Sequence, residues 1–323
     1  MTASATYDPM ISVVITSYNH ARFIGQAIES VMTQTYAHHE IIVVNDGSTD
    51  DTENIVAGYG QVKYIYQENQ GLPAARNTGV AHCRGEFLVF LDADDWLLPH
   101  ALAVNAAILM ARPELAFVAG AHTFYISKDD NYQPVVKSGG DNYYCRLLEG
   151  NFIAMHAAVM YRKWVFKEFR FDTALANCED YDLYLQIVRK YPMFYHEEII
   201  SVYRLHETNM SGDARKMLDG ALVVFKKHEA FLQDSREKSC LDRGRANFSA
   251  YYMEQLEKSF YLRLYHTHQE IDYDELAYLK SHEPAIFERF MAFNEAYILD
   301  HPEQLQIKGW RKLLPHKFLL KKI

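Results

Sequence analysis

The chain has 323 residues, 49% hydrophobic and 23% charged, a balance normal for a soluble globular protein but too long for one ordinary compact core. A formal net charge of −9 argues against a general nucleic-acid binder, which would need a basic face. Four widely spaced cysteines, Cys83, Cys145, Cys178 and Cys240, form no C-x-x-C pair, which favours reduced thiols in a cytosolic compartment and gives no hint of zinc.

Residues 1–8 lack both a basic start and an apolar stretch, so no signal peptide is expected. Residues 11–16 form an apolar run of strand length, and helical spacing follows over 20–33 through Phe23, Ala27, Ile28 and Val31. A second strand is expected over 40–44. It leads into the turn Asn45-Asp46-Gly47-Ser48-Thr49-Asp50, where Thr49 or Asp50 would cap a helix through Ile55 and Val56. A third strand over 62–66 and a helix over 73–82 precede a strand over 86–91 that runs straight into Asp92-Ala93-Asp94-Asp95. Strands alternating with helices imply right-handed crossovers and a parallel sheet. Ligands of such sheets bind beyond the C-terminal strand ends, at a topological switch point. Thr16-Ser17-Tyr18-Asn19, Asn45-Asp46-Gly47 and Asp92-Ala93-Asp94 all fall at such ends, so separate segments converge on one crevice.

A buried strand ending in unpaired carboxylates is costly unless a cation neutralises them. On an extended backbone Asp92 and Asp94 would face the same way. That pairing suits a hard divalent ion that keeps positions open for phosphate oxygens. Asp95 is expected to cap the next helix.

From about residue 115 the pattern changes. Strands are expected over 115–124, 159–161 and 199–205, with turn chemistry over 137–141. The most apolar long window, 101–121, is broken by Asn105, Arg112, Pro113 and Glu114, so no segment is expected to span a bilayer. After Gly212 helical stripes take over: Leu218, Leu222 and Phe225, then Phe248, Tyr252, Leu256, Phe260 and Leu264, then Ile286, Phe290, Phe293 and Tyr297. The chain therefore divides into an α/β domain over 1–212 and a mainly helical appendage over 213–323. The last stretch, 308–323, carries Lys308, Arg311, Lys312, Lys317, Lys321 and Lys322 with no acid, beside Trp310, Leu313, Leu314, Phe318, Leu319 and Leu320. Such an end suits peripheral contact with an anionic bilayer, or else a final helix docked on the body with solvated lysines.

Within the crevice, Tyr18 has the chemistry to stack on a base. Asp46 could accept from a uracil imide or a ribose hydroxyl, and Arg76 could meet a phosphate as a planar donor. Each also has a structural reading: packing for Tyr18, an Asx-turn for Asp46, an ion pair for Arg76. Together, Ser12 to Asn19, Val43 to Asp50, Ala75-Arg76-Asn77 with Gly85-Glu86, and Phe90 to Asp95 closely resemble, in order, the family 2 glycosyltransferases, inverting sugar-nucleotide enzymes of the GT-A fold. The match is dense over 11–100, thinner to Ser211, and does not cover the appendage.

This resemblance implies a GT-A fold, Rossmann-like with a mostly parallel central sheet flanked by helices. It implies nucleoside contacts from Thr16, Tyr18 and Asp46, a ribose or metal-water contact from Asp92, and Mn²⁺ or Mg²⁺ ligation by Asp94 at the diphosphate. Glu179-Asp180-Tyr181-Asp182 opens an amphipathic helix and matches the family's Glu-Asp motif, making Asp180 the expected base. Glu179 is the other candidate, and Asp182 is expected to be structural. Tyr203-Arg204-Leu205-His206 matches a Y-R-x-H segment, so His206 is expected at the metal or diphosphate. Arg204 would neutralise phosphate or pair with an acid. His156 could face the acceptor.

The implied activity is transfer of a sugar from a nucleotide-diphosphate sugar, UDP favoured, to a hydroxyl on a surface polysaccharide, lipid-linked sugar or protein glycan. Acceptor binding, membrane contact and homo-oligomer formation are all open roles for the appendage. Two rivals differ in kind. A sugar-phosphate nucleotidyltransferase needs a Gly-rich basic loop after the first strand, and Ser17-Tyr18-Asn19-His20 has no glycine. A silent binding or scaffold protein would have lost Asp94 or Asp180, and both are present.

Overall fold

A computed structural model describes residues 8–206, 209–267 and 271–300. The basic stretch 308–323 lies outside the described residues. The alternating part runs β1 (Ile11–Ser17), α1 (Ala21–Met32), β2 (His39–Asp46), α2 (Thr52–Ala57), β3 (Val62–Gln67), α3 (Leu72–His82) and β4 (Phe87–Asp92). These follow the expected order, with ends shifted by a residue or two.

The middle part holds β5 (Trp96–Leu97), α4 (Ala101–Ala111), β6 (Phe117–Ile126), β7 (Asn131–Val135), α5 (Tyr143–Glu149), β8 (Val159–Arg162), α6 (Val165–Glu168), α7 (Glu179–Val188) and β9 (Met193–Leu205). The appendage is α8 (Ala214–Glu229), α9 (Ser235–Leu262), α10 (Tyr273–His282) and α11 (Pro284–Asp300). Sequence periodicity misses α4, because the helix is apolar nearly all round and has no polar stripe to mark a face. It also misses β7, an exposed strand that pairs only with β6.

The sheet order is β3-β2-β1-β4-β8-β6-β9-β5, with β7 on β6. β3, β2, β1 and β4 are parallel, as expected, while β8 runs antiparallel between β4 and β6. β6 and β9 are again parallel. The order reverses at β1, where the chain leaves toward β2 on one side and β4 on the other.

Successive β1 residues feed opposite cores. Val14 packs with α3, α5 and α7, and Val13 and Ile15 pack with α1 and α4. Helix α1 buries Ile24, Ala27, Ile28 and Val31 on one stripe. Helix α3 lies so close to β1 that a Cβ on Gly79 would stand 2.3 Å from Val14 Cγ1. A third core joins α8, the C-terminal half of α9, α10 and α11 around Leu218, Met253, Phe260 and Phe290. Phe293, expected on that buried stripe, instead points to solvent.

Candidate active site

Parallel register sets Thr16 of β1 opposite both Val44 of β2 and Asp92 of β4, so the C-terminal ends of these strands share one edge. Thr16 Oγ1 donates to Asp92 Oδ1 at 3.2 Å. Tyr18, just past β1, is 49% exposed, so its ring is open to a stacking partner. The loops beyond β1 and β2 are laced together. Asn19 N donates to Ser48 Oγ at 2.9 Å, Thr49 N to Asn19 Oδ1 at 2.8 Å, and Ala21 N to Asp50 Oδ2 at 2.8 Å. Asp50 also accepts from Thr52 N at 3.2 Å, but neither it nor Thr49 is the N-cap of α2: that position is Asp51, because the helix starts only at Thr52.

Asp46 is buried, and its carboxylate organises the loop after β3. Oδ1 accepts from Gln67 Nε2 at 2.6 Å and Gln70 N at 2.9 Å, and Oδ2 accepts from Gly71 N at 2.8 Å. It shapes the rim of the crevice as well as standing in it.

The acidic segment differs from the extended expectation. Strand β4 ends at Asp92 and the chain turns, so Asp92 and Asp94 part. Asp92 faces Arg76, whereas Asp94 Oδ2 meets His206 Nε2 at 3.0 Å. Asp95 is not a helix cap, because α4 starts only at Ala101 with His100 before it. The Asp95 carboxyl is buried and accepts Arg204 N at 2.9 Å. Burial and then the neighbouring Asp94 and Asp92 push it well above the carboxylate range.

Antiparallel pairing of β5 with β9 delivers residues 204–206 to this turn. Arg204 is buried, donates Nε to Asp94 O at 2.8 Å, and lies 4.7 Å from the Phe23 ring and 4.6 Å from the Trp96 ring. It therefore braces the acidic turn. His206 sits 4.9 Å from the Phe23 ring, and Asn209 Nδ2 reaches Asp94 Oδ2 at 3.5 Å.

Arg76 is 2% exposed. Its Nη2 bridges the two Asp92 oxygens at 2.9 and 3.1 Å, while Nη1 donates to Glu179 Oε1. A direct phosphate contact would require it to leave a carboxylate. Asp180 follows Glu179 in the first turn of α7, whose preceding residue, Cys178, takes the left-handed φ of 58°. Asp180 keeps some exposed surface yet stands among buried groups, and Tyr181 N donates to its Oδ1 at 2.7 Å. Burial, then the adjacent Glu179, push its carboxyl up to about 7 against the opposing pull of Arg76. A carboxyl so tuned can exchange a proton near neutrality.

Asp182 is fully buried and takes Lys227 and His228 of α8, a structural role as expected. His156 is buried beneath the crevice, stacked 5.0 Å from Phe90 and 3.0 Å from Tyr161 Oη, so it does not face an acceptor. The Arg76–Glu179 link and the Asn209 contact escape sequence reading. Asn209 lies three residues past His206, a spacing that carries no distinctive signal.

Asp94 and His206 bring a carboxylate oxygen and an imidazole nitrogen together. Such a pair fits a hard divalent ion that completes its shell with diphosphate oxygens. Among the described residues no group of three or more His, Cys, Asp or Glu side chains could by itself hold a metal. No described helix is long and apolar enough to cross a membrane.

The sequence profile of Glycosyl transferase family 2 matches residues 12–170. An uncharacterized glycosyltransferase of Rickettsia typhi is 31% identical over 225 residues, covering 66% of this chain and 70% of that protein. Among solved structures, residues 1–349 of S. aureus TarS in complex with UDP-GlcNAc superpose with a TM-score of 0.61 at 16% identity, covering 90% of this chain and 92% of that one. The mannosyltransferase PcManGT of Pyrobaculum calidifontis, in complex with GDP-Man and Mn²⁺, gives a TM-score of 0.59 at 17% identity, covering 92% and 82%. The fold is therefore α/β of the GT-A type, followed by C-terminal helices.

Proposed function

Because the chain belongs to glycosyl transferase family 2 and is a glycosyltransferase, we propose that it transfers a sugar from a nucleotide-diphosphate sugar to a hydroxyl acceptor by inverting single displacement. UDP is the favoured nucleotide, and a growing surface glycan is the favoured acceptor. The observation that supports this reading is that the turn after β4 pairs Asp94 with His206, while Asp92 at the end of the same strand is tied through Arg76 to Glu179, the neighbour of an Asp180 carboxyl tuned near neutrality.

Thr16, Tyr18, Asp46 and Asp92 receive the nucleoside, with Tyr18 as the stacking platform and Asp46 acting also through the loop it holds. Arg76 serves the nucleotide side by fixing Asp92. Asp94 and His206 would hold Mn²⁺ or Mg²⁺, which supplies positive charge to the leaving diphosphate when bound. Asp180 takes the proton from the acceptor hydroxyl as its oxygen attacks the anomeric carbon opposite the diphosphate. An α-linked donor then gives a β-linked product. The four buried free cysteines support a cytoplasmic setting, and residues 308–323 are proposed as a peripheral membrane contact.

Asp180→Asn tests the central assignment. Transfer should fall about 10²–10⁴-fold while nucleotide-sugar affinity, measured by calorimetry with Mn²⁺, stays within a few-fold. Transfer at the native rate in this variant would overturn the reading.

A further inference from the structure

We propose that Arg76 and Glu179 are positioning residues that jointly fix the orientation and proton affinity of Asp180, tying the nucleotide-facing strand β4 to the helix that carries the base. The inference rests on Asp180 being that base. Its geometric support is independent of any donor. The guanidinium of α3 is buried, its Nη2 holds both oxygens of Asp92 on β4, its Nη1 holds Glu179 on α7, and its carbon lies 5.6 Å from the Phe171 ring centroid. Glu179 is 4% exposed.

A buried cation shared by two carboxylates contributes little net stability, because desolvation offsets the attraction. What it does contribute is fixed geometry, since removing one member strands a charge in a low-dielectric site. Asp180 is the next residue along α7, so the turn that seats Glu179 also seats Asp180.

The groups that face Asp180 can be named element by element. Those whose charge it feels, or that feel its own, are Glu179 and Tyr184 on its own helix, Cys178 before it, Arg76 on α3, Asp92 on β4, Tyr161 on β8 and Tyr252 on α9. The charged side chains among them are two carboxylates and one guanidinium. Glu179 opposes ionisation of Asp180, and Arg76 favours it. The proton affinity of the base is thus set by the balance of these charges, and its orientation by the fork that seats Glu179.

Glu179→Gln keeps the shape and removes the like charge, while its amide oxygen can still accept from Nη1. The Asp180 carboxyl, followed directly by ¹³C NMR of aspartate-labelled protein, should titrate about one unit lower or more. The acid limb of the kcat–pH profile should move down with it. Arg76→Lys retains the charge but cannot span Asp92 and Glu179 together. In it the acid limb should stay within about half a unit, whereas kcat falls roughly tenfold or more at every pH with a smaller change in KM. An unmoved or raised Asp180 titration in Glu179→Gln overturns the proposal, as does native kcat in Arg76→Lys. A carboxyl that shifts as expected while the kcat limb stays put supports the pairing and instead removes Asp180 as the base.

Discussion

Asp180 is expected to reduce the stability of the fold it serves. Its carboxyl, pushed up to about 7 by burial and by Glu179, holds a proton that an unfolded chain releases near pH 4. The native state then binds more protons than the unfolded state between those limits, so stability declines as pH rises through that window. Asp180→Asn should therefore be more stable than the native protein at pH 8 by on the order of 1–3 kcal/mol, seen as a higher melting temperature, and show no gain at pH 4. Equal melting at both pH values would mean the carboxyl is not raised. Asp94 and Asp180 stand out in the sequence because each sits in a dense local motif. The pairing of Arg76 with Glu179 does not, because the two lie 103 positions apart and nothing local ties them together.

Among the elements, α7 is anchored at both ends of its first turn. Glu179 reaches Arg76, and Asp182 is fully buried against His228 Nε2 at 2.9 Å and Lys227 Nζ at 2.7 Å. Lys227 also reaches Asp172 at 2.7 Å, so α8 clamps the loop before the helix as well as the helix itself. Burial pushes the Asp182 carboxyl up, but hydrogen bonds from His228 and Lys227 outweigh it and hold the group below its ordinary value. Its contribution to stability is complete above about pH 4 and disappears as pH falls through the depressed value. Asp182→Ala leaves the buried His228 without its carboxylate and Lys227 with Asp172 alone, and should cost about 2–4 kcal/mol at pH 7 in urea unfolding. That cost should shrink in acid. A loss under about 0.5 kcal/mol at pH 7 would show the clamp to be incidental. The alternation of strand and helix over 11–92 is legible because one-sided and two-sided burial leave different periods. Helix α4 and strand β7 are not, because one has no polar face and the other no buried one.

Across the whole molecule, the expected division at residue 212 does not separate the cores. Ala221, Val224 and Phe225 of α8 and Cys240 and Leu241 of α9 pack into the same cluster as Tyr181, Leu183 and Tyr184 of α7. Among the described residues, the cluster around Phe260, Leu276 and Phe290 belongs to the appendage alone. A chain ending at residue 212 would bare one side of the helix that carries Asp180 and strip Asp182 of Lys227 and His228. It should fail to give a cooperative thermal transition or dispersed NMR signals, whereas residues 1–300 should give both. A well-folded, active 1–212 fragment would make the appendage a separate domain in the full sense.

The residues alone were enough to specify the alternating frame, its strand ends and the acids at those ends. Backbone periodicity and turn chemistry are local, and local rules survive in a linear string. How those acids are partnered was settled in three dimensions. Asp92 turned to Arg76 and Asp94 to His206 because the strand ends between them and β9 arrives alongside. Such pairings depend on which distant segments the sheet order brings together, and no window of the sequence contains that order.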